Sequence, residues 1–226
     1  MTKLKKGDFI ELEYTGKLAQ GDIVFDTTDE EVAKQHGLHD KNAKYGAVTI
    51  CIGENHVLKG LDKALVDKEL GKDYSVKIAA EDGFGRKQAN LLKLVPAKIF
   101  AEQKVQVQPG LQVNIDGVIG TIIKASGGRV IVDFNHPLAS KELVYDFKVD
   151  KCVTDAKEKV TALVKILLNM DCKVQIAEDK ASVELDFELP ENVAKELEAK
   201  IVKLAGVKAV SFKTKPKPNP TANKNN

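Results

Sequence analysis

Four short motifs constrain the fold of this chain more than its composition does. Residues 14–18 (YTGKL) run on to residues 25–28 (FDTT), and residues 53–61 have the sequence GENHVLKGL. A Gly-Phe-Gly turn follows at residues 83–85, and residues 143–149 form an apolar run with β character. Any single aromatic or leucine residue in such a run is usually a core residue. The joint occurrence of the motifs in this order is what restricts the possible folds.

In order and spacing, these motifs resemble the ligand pocket of FKBP-type peptidyl-prolyl isomerases. Between the third and the fourth motif, the short loop of that family is replaced by residues 86–134, which have the pattern of a small domain. This interruption resembles the SlyD-like and archaeal long-type branch, in which a chaperone domain is inserted in the flap. The continuation beyond residue 150 favours the archaeal long type. The resemblance implies an isomerase whose partners are unfolded or proline-containing polypeptides.

The resemblance also implies a catalytic pocket with aromatic and aliphatic walls. Tyr14 and Phe25 form one wall, and Asp26 lies near the mouth. The Leu58 backbone N–H pairs with a substrate carbonyl, and Leu61 takes the floor position, where the best-studied short members have tryptophan. The full set of pocket residues implied by the resemblance is Tyr14, Phe25, Asp26, Val57, Leu58, Leu61, Phe84, Leu138 and Tyr145.

The chemistry of such a pocket needs few polar groups. Rotation about an X–Pro bond meets a barrier of roughly 18–20 kcal/mol, because the amide has partial double-bond character. Since the twisted amide is less polar than the planar one, an apolar pocket that excludes water favours twisting without proton transfer. No cofactor and no metal is therefore expected. Leu61, together with Phe84 in place of the family's tyrosine, predicts weaker binding of macrolide drugs and retained turnover.

The alternating β-like runs and one amphipathic helix near residues 57–65 predict an α+β fold. Combined with the resemblance, this is an FKBP antiparallel sheet with one packed helix, interrupted by a small β-rich insert and followed by a C-terminal α-β-β-α-β domain. Residues 26–46 have no periodicity and are expected to run over the surface. The expected division is an isomerase domain at 1–85 and 135–152, an insert-in-flap chaperone domain at 86–134, a C-terminal α+β domain at 153–212 and a disordered Lys/Pro tail at 213–226.

Within the insert, residues 116–117 and 127–128 are turn dipeptides that separate three β-like runs, whereas residues 91–100 are apolar and irregular. The apolar residues of the insert have two interpretations, a small core or a surface that binds client chains. The residues alone favour neither interpretation over the other, and the resemblance favours client binding. The client-binding residues implied in this way are Leu91, Leu92, Leu94, Val95, Ile99, Phe100, Ile119 and Ile122.

The last third of the chain has the pattern helix, hairpin, helix, strand. Thr154 is the expected N-cap of the first helix, residues 182–189 alternate as a strand, and the second helix is expected to end near Gly206. So small a sheet should leave an apolar face or a strand edge exposed in a monomer. We therefore expect homodimerisation through residues 153–212, with a self-sufficient domain that binds another partner as the alternative.

Charge and cysteine content exclude several classes of protein. Thirty-five basic against 33 acidic residues give a net charge of +2, which is too balanced to indicate nucleic-acid binding. Cys51, Cys152 and Cys172 contain no C-x-x-C pair, so neither a disulfide framework nor a zinc site is expected. His36 and His39 are interpreted as solvated loop residues rather than metal ligands. No run approaches the length of a membrane span, and we expect a cytoplasmic protein without membrane partners.

Two functions of other classes stay open. The first is a non-catalytic holdase with a vestigial pocket, against which the intact set of pocket residues argues. The second is a ribosome- or RNA-associated assembly factor that binds through the insert and the Lys/Pro tail. Catalysis of a proline-limited refolding reaction would exclude the first, and affinity that does not change with salt would exclude the second.

Overall fold

The computed structural model describes residues 3–214, which divide into two compact units. The first unit comprises the chain up to Gly16, Val24–Val76 and the chain from Tyr145 onward. The second comprises Lys17–Ile23 and Lys77–Val144. Both are mixtures of helices and sheets, so the predicted α+β class is confirmed. Within residues 3–214, no helix has the length and apolar character needed to cross a membrane.

A five-stranded sheet is the framework of the first unit, and the ends of three of its strands pass into the second. Its strands are β1 (Phe9–Leu18), β2 (Val24–Thr27), β3 (Val48–Cys51), β4 (Asp73–Ile78) and β9 (Leu143–Cys152). The order is β2-β1-β9-β4, and β3 pairs antiparallel with β1. Every second residue of β9 from Leu143 to Val149 is buried, as expected for a strand with one face on a core. The helix α2 (Lys59–Leu65) buries Leu61 and Leu65.

The segment at residues 26–46 is not entirely irregular, contrary to expectation. It contains a short helix, α1 (Glu30–Gln35), which begins where the Asp29 side chain accepts a hydrogen bond from the Val32 N–H. Ala33 is buried. A six-residue helix with one buried residue is too short to produce a readable hydrophobic period, which is why the sequence did not reveal it.

The C-terminal segment has the predicted element order α-β-β-α-β. Its elements are α4 (Ala156–Leu168), β10 (Lys173–Ala177), β11 (Lys180–Leu185), α5 (Glu191–Ala205) and β12 (Ala209–Thr214). The sheet order is β10-β11-β12, with β10 antiparallel and β12 parallel to β11. Within the predicted tail, residues 213 and 214 end β12, and the remainder of the tail lies outside the described residues.

Two local predictions in this segment were wrong. Asp155, not Thr154, caps α4, because its carboxylate accepts the Glu158 N–H at 2.8 Å. The strand expected over residues 182–189 ends at Leu185. The antiparallel neighbour β10 begins at Lys173, which lies opposite Glu184, and therefore offers no partner beyond that point. Alternation along one strand carries no information about where its neighbour ends.

The C-terminal elements share a hydrophobic core with the isomerase-like sheet. Phe9 of β1 and Cys51 of β3 belong to the same buried cluster as Val160 and Leu163 of α4. The Val153 N–H donates to the Phe9 carbonyl at 2.7 Å, and the Lys159 ammonium lies 5.5 Å from the centre of the Phe9 ring. These contacts pack α4 against β1 and β3.

The second unit contains a four-stranded sheet in the order β5-β8-β7-β6. Its elements are β5 (Leu92–Pro96), the helix α3 (Ala97–Glu102), β6 (Gln112–Ile115), β7 (Val118–Ser126) and β8 (Arg129–Asp133). Both turn dipeptides have positive φ at each residue, as two-residue hairpins of type I′ require. Residues 91–100 were expected to be irregular, and this was wrong, because they form β5 and α3. Each is only five or six residues long, too short for its periodicity to be recognised.

Candidate active site

Three aromatic residues implied for the pocket lie together in the first unit, on the neighbouring strands β1, β2 and β9. The ring centres of Tyr14 and Tyr145 are 5.7 Å apart, and those of Phe25 and Tyr145 are 5.8 Å apart at an interplanar angle of 82°. Such tilted and edge-to-face arrangements are the favourable ones for aromatic pairs. Tyr145 is buried, whereas Tyr14 and Phe25 are half-buried. The cluster therefore presents part of two rings to a ligand and holds the third ring fixed.

Gly16 makes this close packing of rings possible. A Cβ at position 16 would lie 2.9 Å from two ring atoms of Tyr145 and 3.0 Å from Cζ of Phe25. Any other residue would therefore push at least one ring away. The glycine of the first motif is therefore required by the packing of these rings, a reason that the motif alone does not reveal.

Threonines of the FDTT motif fix the backbone beneath the Tyr14 ring. The Tyr14 N–H donates to Oγ1 of Thr28 at 2.9 Å, and that hydroxyl lies 3.2 Å from the Tyr14 carbonyl oxygen, to which it donates. Oγ1 of Thr27 lies 2.8 Å from Oγ1 of Thr15. Thr28 is buried, so these bonds are protected from water. Thr28, the last residue of the motif, was not predicted as a candidate site residue from the sequence.

Asp26 and Tyr14 form the polar part of the aromatic cluster. The two side chains are hydrogen-bonded, and loss of hydration is the main cause that raises the pKa of each, although Asp26 as a whole lies at the surface. The Asp26 carboxylate adds to the upward shift of the Tyr14 pKa, so the phenol stays protonated and donates to Asp26. The Tyr14 hydroxyl is therefore held in place by a hydrogen bond.

The motif at residues 53–61 supplies two half-buried apolar side chains and one buried leucine. Val57 and Leu58 are half-buried, and Leu61 is fully buried on α2. The turn before them is fixed by Asp62, whose carboxylate accepts the Gly53 N–H at 2.8 Å and the Asn55 N–H at 3.0 Å. Asp62 is 4% exposed and was not singled out from the sequence. An acid on the apolar face of a short helix that follows a Gly-x-Asn turn is the signal that could have found it.

His56, in the same turn, has an unusual environment. Its Nδ1 accepts the Cys51 N–H at 3.1 Å, so a neutral ring carries its proton on Nε2. Nε2 is buried and has no hydrogen-bond partner among residues 3–214. Burial is the main cause that lowers the His56 pKa, and the Lys200 ammonium contributes. His56 is therefore a neutral residue of the turn.

Phe84 and Leu138 lie in the second unit. There, Phe84 stacks face to face on His136, with ring centres 4.3 Å apart and an interplanar angle of 4°. Nδ1 of His136 accepts the Leu138 N–H at 3.1 Å. Phe84 and Leu138 are both half-buried. Their membership of the pocket stays a prediction from the resemblance.

The eight residues implied for client binding fall into a buried group and a group with exposed or half-buried side chains. Val95, Phe100 and Ile122 are 8%, 2% and 0% exposed and form the core of the insert with Val130 and Val132. For these three, the core interpretation is correct and the client-binding one is withdrawn, because a client chain cannot reach them. The residues that keep exposed or half-buried side chains are Leu91, Leu92, Leu94, Ile99 and Ile119.

The histidines and cysteines show no assembled metal site. Among residues 3–214, no three His, Cys, Asp or Glu side chains are grouped so that they could hold a metal ion. His39 stacks on Tyr45, and its Nε2 lies 3.4 Å from the Glu30 carboxylate. All three cysteines are free, and burial raises the pKa of the Cys51 thiol to about 11.

Comparison with known proteins places this arrangement in a family. Residues 93–138 match the family model described as "FKBP26, IF domain". Over 146 residues, which are 65% of this chain and 92% of the relative, the chain is 32% identical to the short-type peptidyl-prolyl cis-trans isomerase of Methanocaldococcus jannaschii. It is 31% identical over 115 residues to the FKBP-type peptidyl-prolyl cis-trans isomerase SlyD of Helicobacter pylori, covering 49% of this chain and 61% of the relative. For SlyD of Haemophilus influenzae the identity is 34% over 101 residues, covering 43% and 53%.

The chain therefore belongs to the FKBP-type peptidyl-prolyl cis-trans isomerases, in their SlyD-like branch with an inserted domain. The resemblance inferred from the motifs is confirmed, as is the class of enzyme.

Proposed function

We propose that this protein rotates X–Pro bonds in the pocket around the Tyr14, Phe25 and Tyr145 cluster, and that the insert holds unfolded client chains. The observation that carries the catalytic part is the packed aromatic cluster with its Tyr14–Asp26 hydrogen bond, at the positions that match the family motifs. Three free cysteines suit a reducing compartment, which supports action in the cytoplasm.

In the proposed mechanism, the proline ring lies against the half-buried faces of Tyr14 and Phe25 and against Val57. Removal of water from the X–Pro amide destabilises its polar planar form relative to the twisted one. The Leu58 backbone N–H pairs with a client carbonyl, as the resemblance implies, and so orients the chain. For Phe84 and Leu138 the assignment also rests on the resemblance. The Tyr14 hydroxyl is bonded to Asp26, so proton transfer plays no part.

An exposed apolar surface of the insert supports the proposed chaperone role. Leu94 is 63% exposed and Ile119 is 64% exposed, and Leu92 on β5 is exposed as well. Leu94 and Val95 are consecutive on a strand, so Leu94 faces away from the core to which Val95 belongs. Apolar side chains that a small sheet leaves in water are available to bind unfolded polypeptides. The proposed domain boundaries for this role are 86–134 for the insert and 1–85 with 135–152 for the isomerase.

A pair of refolding assays tests the two parts of the proposal. Catalytic amounts of the protein should accelerate the proline-limited phase of an unfolded protein and the isomerisation of a short proline peptide. Leu94→Ser combined with Ile119→Ser should reduce the rate on the unfolded protein several-fold more than on the peptide, because local client concentration is lost. Leu38→Ser, at an exposed leucine of the first unit, is the matched control.

An unchanged slow phase with the wild-type protein would remove the catalytic proposal and favour the non-catalytic holdase. Equal losses on both substrates would remove the client-binding role of the insert. Binding that weakens steeply as salt rises would favour the RNA- or ribosome-associated alternative.

We also propose homodimerisation through residues 153–212. Phe187 is 46% exposed beside the edge formed by β12 and α5, where a cleft is lined by Leu189, Val210 and Phe212. Light scattering on the whole chain at tens of micromolar, roughly the range that exposes weak association, should give a dimer. Phe187→Glu should shift it toward the monomer. A monomeric wild-type protein would leave the partner-binding alternative.

A further inference from the structure

A second groove adjoins the proposed proline pocket, and α4 of the C-terminal segment forms one of its walls. The groove has a volume of about 650 Å³, within the range of ligand-binding clefts. Val48, Thr49 and Ile50 of β3 line one side, and Thr161, Ala162 and Ile166 of α4 line the other. Tyr14 and Val57 line it as well, and both belong to the residue set of the proline pocket. The groove therefore shares two residues with that set.

Ion pairs fix the two walls relative to each other. The Lys151 ammonium lies 3.0 Å from the Glu11 carboxylate of β1 and 3.6 Å from the Glu158 carboxylate of α4. At another point on the rim, Lys44 forms an ion pair with Asp171. The shared core beneath, which contains Cys51 and Leu163, holds the same two walls. The groove is thus built before any ligand arrives, which lowers the entropy cost of binding.

The lining indicates what kind of chain segment fits. The apolar part of the lining consists of half-buried Val48, Val57 and Ile166 and buried Ile50 and Ala162. The acids of the lining have cationic or backbone partners: Glu11 and Glu158 contact Lys151, Asp171 contacts Lys44, and Asp155 accepts the Glu158 N–H. Lys157, Lys165 and His56 line the groove as well. With its acids paired and two lysines present, the lining disfavours cationic client side chains and offers an apolar surface to uncharged ones.

We propose that this groove binds the client residues on one flank of the proline, so that α4 sets a preference for apolar residues there. This rests on the proposed isomerase function and deepens it, because it names the substrate class as proline segments with an extended apolar flank. We expect one flank to lie in the groove, since Tyr14 and Val57 are the lining residues that the groove shares with the proposed walls of the proline pocket. The other flank should not respond to changes in α4.

The test compares three synthetic proline peptides on the full-length protein. One peptide has a single residue on each side of the X–Pro pair, and two others carry an apolar extension on either the N-terminal or the C-terminal flank. Thr161→Arg fills the groove, and Ile166→Ser removes part of its apolar lining. Gln175→Arg, on an exposed position of β10 away from the groove, is the matched control.

The wild type should prefer one of the two extended peptides over the short one through a lower KM. Either groove variant should reduce that preference about tenfold, the loss expected when one apolar side chain loses part of its burial, whereas Gln175→Arg should not. An unreduced preference in both variants, or equal effects on both extensions, would overturn the proposal. So would a wild type without any preference.

A binding measurement keeps this test separate from the isomerase proposal. If the wild type isomerises no peptide, the catalytic proposal fails, and the groove is then judged by amide chemical shifts alone. The preferred extended peptide should shift the amides of Thr49 and Thr161, and Thr161→Arg should weaken its affinity about tenfold. Absence of those shifts would overturn the groove proposal whatever the activity.

Discussion

Replacement of Gly16 by alanine should damage the pocket far more than so small a change normally would. The new Cβ would lie 2.9 Å from Cε1 and Cζ of Tyr145 and 3.0 Å from Cζ of Phe25, so at least one ring must move by several tenths of an ångström. Tyr145 is 3% exposed and packed on all sides, which leaves Phe25 as the ring that yields. Phe25 is the ring that faces the client in the proposed mechanism.

The expected loss of stability is modest. Overpacking costs about 1–3 kcal/mol, and the lower entropy of the unfolded alanine chain offsets about 0.4–1 kcal/mol of this. A net loss of about 1–2 kcal/mol follows, which corresponds to a fall in melting temperature of roughly 2–8 °C for a chain of this size. The loss in kcat/KM on a short proline peptide should be at least about tenfold, because small misplacements of binding groups are costly.

A double-mutant cycle with Tyr145→Leu provides the control. Because leucine removes the ring atoms that the new Cβ would meet, Gly16→Ala should cost less in that background, with a coupling energy of about 0.5–3 kcal/mol. Additive free energies of unfolding would show that the Cβ does not meet the Tyr145 ring. A Gly16→Ala protein with wild-type stability and activity would refute the reasoning altogether.

Three further predictions concern the same site. Phe25→Ala should lower kcat/KM at least about tenfold yet destabilise the fold by well under the 3–5 kcal/mol expected for the buried Phe9→Ala; chemical denaturation of both variants checks this, and equal penalties would make Phe25 a core residue. Asp62→Asn should cost about 1–3 kcal/mol, because the Gly53 and Asn55 N–H groups bond different carboxylate oxygens and asparagine replaces one of these by an NH2 donor; a variant as stable as the wild type would contradict this. Since burial lowers the folded-state pKa of His56 below its ordinary value of 6.5, its contribution to stability is complete above that value and is lost as pH falls toward the folded pKa. His56→Gln should therefore flatten the decline in the free energy of unfolding below pH 6.5, whereas the exposed His36→Gln should leave it unchanged.

The sequence motifs predicted which aromatic residues of the first unit lie together, because each motif encodes a local geometry. Gly16 allows rings to approach, and Thr28 and the Gly53 turn place backbone groups, so residues far apart in the chain converge once the strands pair. The element order of the C-terminal segment was also readable, since α4, α5 and β11 are long enough to show their period. The three buried residues of the insert could not be separated from its exposed ones, because a short sheet has two faces and the sequence does not say which one is covered.

The features that could not be predicted depend on which elements of the chain pack against each other. The pattern of α4 reveals an apolar face but not that Phe9 and Cys51 lie beneath it, because a hydrophobic stripe does not specify what covers it. The groove beside Tyr14 arises from that docking and has no motif of its own. Likewise, β11 ends at Leu185, where its pairing with β10 (to Glu184) and with β12 (to Leu185) stops within the described residues.

The core that Phe9 and Cys51 share with α4 has a consequence for local unfolding of this protein. Two segments that bury one another cannot unfold independently at low cost, so the isomerase sheet and the C-terminal elements should exchange their amide hydrogens as a single cooperative block. The insert, whose core of Val95, Phe100 and Ile122 is its own, can open separately. The block that opens as one unit would then extend from the Tyr14, Phe25 and Tyr145 cluster to β12, while the insert would have a separate and smaller free energy of opening.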